Sequence, residues 1–272
     1  MELGRGVFAW THPEPRYGNS NVGLVIDGDG LTVVDTSATP ARGAAARSAI
    51  IDLTAELDLR IKRVVLSSSR VAFSGGSDAF WPAAYYGSES TSDQLDSPAA
   101  PGTLARLLPH LAEAYDEGFT TRPITHTVSE EAALSSAAVA VPLPGEGPVN
   151  LAVHVAGAGV VFAGALGSFG VTPLAFDGDP AAWATSLQRL AALAPTIVPG
   201  HGPPGGAADV ADLVGYLRAC VAAGGDPQAI APGPWDGWTD RRFDAVNVER
   251  AARLAADDRE VPAAMYRLLG LV

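Results

Sequence analysis

The fold is decided by a stretch in the first third of the chain, Val64-Val-Leu-Ser-Ser-Ser-Arg-Val-Ala-Phe-Ser-Gly-Gly76. It begins as a short apolar run typical of a buried strand and continues as a loop that closes on two glycines. A second stretch, Val198-Pro-Gly-His-Gly-Pro203, is likewise a strand signal that runs into a glycine-flanked loop. Loops held by a rigid strand often carry functional residues, so both stretches are candidates for a site.

Strand and helix signals alternate on both sides of these stretches. The turn sequence Asp27-Gly-Asp-Gly30 separates two β-branched runs and predicts a hairpin, while Thr39 and Asp179 are placed to cap helices. Two halves of the same strand-and-helix order, without a linker, predict one layered α/β domain. Strands are predicted at Val22–Ile26, Leu31–Val34, Val149–Val155 and Val160–Ala163, and helices from Pro40, from Leu104 to Leu111 and from Pro180.

Composition excludes several classes of protein. The chain has 272 residues, 47% hydrophobic and 18% charged, which is too apolar for a disordered protein. Its 18 basic and 30 acidic residues give a net charge of −12, which argues against nucleic-acid binding. No apolar run is long enough for a membrane span, and the N-terminus lacks a signal-peptide pattern, so we expect a cytoplasmic protein. The single cysteine, Cys220, permits neither an internal disulfide nor a cysteine-based zinc site.

Four segments together resemble the metallo-β-lactamase superfamily. They are Asn21–Ile26 with Val33–Thr36, Val64–Gly76, Val160–Ala165 and Val198–Pro203. The resemblance covers about residues 6–206 and implies an α/β fold, a four-layer αββα sandwich. We therefore expect a single domain over residues 1–272, with a core at about 6–206 and a C-terminal helical extension at about 207–272.

The resemblance also implies where metal ligands would lie. Aligned on Gly75-Gly76, four positions of the family's His-rich signature fall on Ser68, Arg70, Ala72 and Phe73, and its later ligands fall on Glu146, Ala165 and His201. A zinc site needs at least three nitrogen, sulfur or carboxylate ligands from the protein. We therefore expect that the metals are lost and that no cofactor is needed. A single atypical metal on Glu146, His201 and a third group remains an alternative.

The replacements suggest how the former metal site is filled. Arg70 and Glu146 would converge as a buried charge pair, because an unpaired buried charge is strongly unfavourable. The alternative is an ordinary salt bridge at the rim. On the other side Ala72, Phe73 and Ala165 would form an apolar wall beside His201.

Two classes of function stay open. The first is a metal-independent hydrolase, or a lyase or cyclase, acting on a small organic substrate. Its catalytic residues would be Ser68, Arg70, Glu146 and His201, with Ser68 as nucleophile and His201 as general acid or base. The second is a pseudoenzyme that binds a ligand or a partner protein, and a homodimer is possible in either case. Substrate-binding roles are expected for Asp35, Ser69, Phe73 and His12.

Overall fold

Two β-sheets form the centre of the structure, a computed structural model that describes residues 1–272. The seven strands of the first sheet are β1 (Glu2–Gly4), β2 (Val7–Trp10), β3 (Val22–Asp27), β4 (Gly30–Val34), β5 (Ile61–Val65), β6 (Ala84–Gly87) and β7 (His126–Thr127). They lie side by side in sequence order, antiparallel as far as β4 and parallel from β4 to β7.

The second sheet is mainly antiparallel. Its strands are β8 (Ala132–Ala133), β9 (Val139–Leu143), β10 (Asn150–Val155), β11 (Val160–Ser168) and β12 (Thr196–His201). In space they follow the order β12-β11-β10-β9-β8, and only β11 and β12 are parallel. The helices are α1 (Pro40–Leu53), α2 (Val71–Ser74), α3 (Glu89–Asp96), α4 (Pro101–Leu107), α5 (Pro180–Leu193), α6 (Ala207–Ala222), α7 (Asp244–Ala255) and α8 (Ala263–Leu268).

Apolar side chains join these elements into four layers. Between the sheets, Val25 of the first and Phe162 of the second belong to one buried cluster. The other face of the first sheet packs on α1 through Ile50, and the other face of the second packs on α5 and α6 through Leu187 and Leu217. This order of helix, sheet, sheet and helix confirms the predicted αββα sandwich.

The local signals of the sequence account for several elements. The predicted hairpin is formed by β3 and β4, which pair Asp27 with Gly30 at the turn. The Thr39 hydroxyl accepts a hydrogen bond from the backbone N–H of Arg42 at 3.2 Å and so caps α1, and the Asp179 carboxylate caps α5. These caps satisfy backbone donors that a helix leaves unpaired at its start.

The predicted single helix from Leu104 to Leu111 is wrong. The α-helix ends at Leu107, and a 3₁₀ helix follows from Pro109 to Ala114. Proline lacks a backbone N–H and disfavours helical geometry at the residue before it, so Leu108 adopts φ −122° and ψ 67°. Leu104, Leu107 and Leu108 are nevertheless buried.

The C-terminal helices close one side of the sandwich. Val246 of α7 and Met265 of α8 belong to an apolar cluster that also contains Tyr17 and Val71. The C-terminal segment is therefore packed against the loop that follows β5. None of the helices combines the length and the apolarity that crossing a bilayer requires.

Candidate active site

Loops that follow β4, β5 and β12 meet at one edge of the sandwich. The Asp35 carboxylate, after β4, accepts hydrogen bonds from the Ser67 backbone N–H and from the Ser67 hydroxyl, both at 2.8 Å. The same hydroxyl accepts a bond from the Ala165 N–H in β11 at 3.0 Å, and so ties the two sheets together. Burial raises the pKa of Asp35 to about 7, although the bonds from Ser67 act in the opposite direction. Asp35 is 2% exposed, so its contacts hold the protein together and leave no surface for a substrate.

His201 is enclosed at the end of β12. Its Nε2 accepts a hydrogen bond from the Gly18 backbone N–H at 3.1 Å, its ring stacks on Tyr17, and the Phe73 ring meets it edge-on at 5.2 Å between centroids. Burial lowers the pKa of His201 to about 3, so the imidazole is neutral and its basic nitrogen is already engaged. The geometry does not support the expected role of His201 as a general acid or base.

The expected Ser68–His201 pair is not formed. The Ser68 hydroxyl accepts a hydrogen bond from the Arg70 backbone N–H at 3.2 Å, and His201 is bound by Gly18. Ser68 is 3% exposed and has no base beside it, so it lacks the activation that a serine nucleophile needs. Nearby, Phe73 forms a buried apolar cluster with Ala72 and Ala165, which puts Phe73 in the protein interior and not on a substrate-binding surface.

Arg70 and Glu146 do not form the direct pair that the sequence suggested. Arg70 Nη2 binds the Asp177 carboxylate, and the guanidinium lies 3.6 Å from the centre of the Phe176 ring. Glu146 Oε1 accepts a hydrogen bond from the Tyr17 hydroxyl at 2.8 Å. Arg70 therefore has its nearest countercharge on the loop before α5.

Burial dominates the electrostatics around Glu146. It raises the pKa of this carboxyl to about 7, while the charge of Arg70 and the bond from Tyr17 act in the opposite direction. Two buried atoms here have no hydrogen-bond partner in the protein, Arg70 Nε and Glu146 Oε2. Buried polar atoms are nearly always paired, so these two atoms are exceptions within an otherwise hydrogen-bonded set of groups.

Asp177 is held in place by close backbone packing and by α7. A Cβ at Gly178 would lie 2.2 Å from the Gly145 carbonyl oxygen, so only glycine lets the Asp177 loop approach the Glu146 loop. Arg250 of α7 donates hydrogen bonds to the carbonyl oxygens of Gly178 at 2.8 Å and Asp177 at 3.1 Å. The C-terminal helices thus help to position the charge that faces Arg70.

A cavity of about 370 Å³ opens beside this ion pair. We call it the Arg70 cavity. Most of its lining is apolar, and Arg70 and Asp177 are its only charged lining residues. Ser69 and Gln94 extend the polar end, since Ser69 Oγ donates to Gln94 Oε1 and Gln94 Nε2 donates to Asp177 Oδ2 at 2.9 Å. The apolar part is formed by Val71, Leu104, Leu107, Phe119, Phe176 and Met265.

Only two of the eight residues predicted for the site, Arg70 and Ser69, line this cavity. His12 lies in a different surface pocket, with Trp10 and Arg42, and its Nδ1 is 3.3 Å from the Glu14 carbonyl oxygen. The expected substrate-binding role of His12 beside the other site residues is therefore not supported. The other five predicted residues do not line the cavity. They are buried, with the contacts described above.

Comparisons with solved structures agree on the architecture. The metallo-β-lactamase FIM-1 from Pseudomonas aeruginosa, in a mono-zinc form, is 21% identical with a TM-score of 0.58, and the match covers 79% of this chain and 92% of that one. A metallo-β-lactamase from Erythrobacter litoralis is 20% identical with a TM-score of 0.60, covering 80% and 95%. One from Hirschia baltica is 19% identical with a TM-score of 0.58, also covering 80% and 95%. The chain has the metallo-β-lactamase fold. Neither a family model nor a curated protein matches its sequence.

The residues that the sequence resemblance aligns with the family's metal ligands do not fit a zinc site. Ala72, Phe73 and Ala165 offer no donor atom, and Arg70 brings a positive charge. His201 Nε2 is engaged with Gly18. No group of three or more His, Cys, Asp or Glu side chains is arranged to hold a metal ion. The donor set therefore falls short of the three ligands that zinc takes from a protein.

Two important residues of the site escaped the sequence analysis. Asp177 is 107 positions from Arg70, and it lies in an acidic turn whose visible signal is the helix cap at Asp179. Tyr17 connects Glu146 to His201, but in the sequence it is one aromatic residue in an N-terminal loop. Neither has a spacing that relates it to the other site residues.

Proposed function

We propose that this chain binds a small, largely apolar organic molecule in the Arg70 cavity, and that it does so without a metal ion. The observation that carries the proposal is the cavity itself, with a lining that is mainly apolar and contains one charged pair, Arg70 and Asp177. Its volume of about 370 Å³ is within the range of roughly 300–1,000 Å³ found for small-molecule sites.

The surroundings of the cavity support this proposal over the expected catalytic arrangement. A binding site needs an apolar pocket with a few well-placed polar groups, and the Arg70 cavity has both. A serine hydrolase needs a hydroxyl beside a base, and Ser68 has none. The ligand-binding alternative raised by the sequence is thus the better supported of the two.

The proposal can be tested with three probes that share one eight-carbon chain: octanamide, octanoate and octylammonium. We expect isothermal titration calorimetry to detect saturable binding of at least one of them. Thr103→Trp should abolish it, because Thr103 lines the cavity from α4. Gly102→Trp is the matched control, since a side chain at Gly102 points into open space. No binding by any probe, or equal binding by the Thr103→Trp variant, would refute the proposal.

A second candidate function, metal-independent hydrolysis of the bound molecule, is favoured by the Tyr17–Glu146 hydrogen bond. Tyr17 lines the cavity and donates to Glu146, whose pKa of about 7 suits a proton acceptor. In this reaction the Tyr17 oxygen takes a proton from the attacking water while its own proton passes to Glu146, and the water oxygen bonds to the substrate carbonyl carbon. In the second step the bond between the carbonyl carbon and the leaving group breaks. Tyr17 donates its proton to the leaving group and receives one from Glu146, which restores both side chains.

A screen of esters, lactones and thioesters tests this second candidate. Hydrolysis should continue in the presence of a strong chelator and should fall roughly 10²- to 10⁴-fold in Tyr17→Phe, in line with the loss of a general acid–base group. Activity that the chelator abolishes and zinc restores would refute a metal-independent reaction. Consumption of a substrate that has no hydrolysable bond would indicate a lyase or cyclase reaction in place of hydrolysis.

A further inference from the structure

We infer that the ligand of the Arg70 cavity carries an uncharged polar head with both a hydrogen-bond donor and an acceptor, such as an amide, at the end of an apolar chain. This inference rests on the proposed function and narrows it to one chemical class.

The charges at the polar end argue against an ionic head. Arg70 is balanced by Asp177, and their side chains are only 11% and 20% exposed. Glu146 lies behind the wall, adds negative charge when ionised and interacts with Arg70. An anion beside Arg70 would therefore also face Asp177 and Glu146. A cation would find only the Asp177 carboxylate, which is already paired with Arg70. Either kind of ion would also lose its hydration on entering an apolar cavity.

The hydrogen-bonding capacity of the same groups favours a neutral head. Arg70 binds Asp177 through Nη2 only, and a guanidinium carries five N–H donors, so donors of Arg70 remain for a ligand. Each oxygen of Asp177 accepts one side-chain hydrogen bond, from Arg70 or from Gln94, although a carboxylate oxygen has two lone pairs. An adjacent donor and acceptor of this kind match the carbonyl oxygen and the NH₂ group of a primary amide.

The apolar lining of the cavity favours a ligand whose remaining part is an apolar chain. Val71, Leu104 and Leu107 are buried residues of one apolar cluster, and all three line the cavity. Burial of an alkyl chain against them favours binding through the hydrophobic effect, in proportion to the apolar area removed from water. The ion pair then contributes mainly orientation and selectivity for the head.

The order of affinity among octanamide, octanoate and octylammonium at pH 8 tests the inference. The three probes share their chain, so differences report the head group. We expect octanamide to bind at least tenfold more tightly than either ion. Tightest binding of octanoate or octylammonium, or equal binding of all three, would overturn the inference while leaving the proposed function intact. Absence of binding by every probe would overturn both.

The Asp177→Asn variant tests whether the Arg70–Asp177 ion pair causes the preference for an uncharged head group. With its countercharge removed, Arg70 would be free to bind a carboxylate, so we expect octanoate to gain more than the wild-type margin of octanamide and to become the tighter ligand of the two. Asp116→Asn is a matched control on an exposed loop outside the cavity, and it should leave the order unchanged. An unchanged order in a folded Asp177→Asn variant would overturn the inference, and the wild-type order decides it if that variant does not fold.

Discussion

Tyr17 stacks on the imidazole of His201, with ring centroids 4.7 Å apart and planes inclined by 19°. The same tyrosine donates its hydroxyl proton to Glu146, so one side chain joins the two positions at which potential metal ligands remain. Its neighbour Gly18 supplies the N–H that binds His201 Nε2. The N-terminal loop thus engages His201 Nε2 and one of the two carboxylate oxygens of Glu146.

The first prediction concerns His201→Ala. We expect a loss of about 2 to 4 kcal/mol in the free energy of unfolding, because the ring's packing on Tyr17 and Phe73 disappears and the Gly18 N–H loses its acceptor. His201→Gln, which keeps an acceptor, should lose less. Urea unfolding measures both, and unchanged stability in His201→Ala would contradict the buried structural role.

The second prediction concerns pH. Burial raises the pKa of Glu146 to about 7, above the value of about 4.3 for an exposed glutamate. The folded state therefore holds this proton more tightly than the unfolded state, and the associated stability, fully present below about pH 4.3, is lost as the pH rises towards 7. Glu146→Gln removes this titration.

We expect the wild type to lose on the order of 2 to 3 kcal/mol of unfolding free energy, relative to Glu146→Gln, between pH 5 and pH 8. Asp35 titrates in both proteins, and the Glu146 charge is the last of the causes that shift its pKa, so the difference between the two proteins comes mainly from Glu146. Urea unfolding curves at intervals across this range provide the measurement. Parallel stability profiles would show that the Glu146 carboxyl is not buried as described.

The third prediction is that Arg70 is coupled to Asp177. Removal of either charge alone leaves its partner poorly compensated, whereas Arg70→Met combined with Asp177→Leu removes both. A double-mutant cycle should give a coupling energy of about 1 to 3 kcal/mol. The cycle that combines Arg70→Met with Glu146→Gln should give a smaller coupling energy. A larger coupling energy in that cycle would support the direct Arg70–Glu146 pair instead.

The fourth prediction concerns zinc. Because the residues at the fold's metal positions supply too few free donor atoms, micromolar zinc should leave the melting temperature unchanged. Any ligand that binds only the folded state must raise stability by mass action. A dose-dependent rise that is lost in Glu146→Gln would instead support the atypical metal site that the sequence left open.

Much of the fold follows from short-range signals in the sequence. The hairpin of β3 and β4 is set by two β-branched, apolar runs on either side of a glycine turn. The Thr39 and Asp179 caps begin helices that the sequence places correctly. The helix expected from Leu104 to Leu111 fails because its apolar spacing continues across Pro109, which interrupts the backbone but not the packing.

The site is less predictable because its contacts join distant parts of the chain. The sequence correctly directs attention to Arg70, but Asp177 and Phe176 reach it through packing between loops and through Arg250 of α7. The role of His201 is determined by its contacts with Tyr17 and Gly18, which are about 180 residues away in the sequence. The glycine-flanked loop that contains His201 gives no signal that predicts these contacts. Residue type identified candidates, whereas three-dimensional packing decided their partners.

The most direct test of the central claim is a crystal structure of the protein soaked with octanamide. The account predicts electron density in the Arg70 cavity, with the amide against Arg70 and Asp177 and the alkyl chain along Val71, Leu104 and Leu107. Thr103→Trp crystals treated in the same way should show none there. Density beside Ser68 and His201 instead, with the Arg70 cavity empty of ligand, would contradict the account.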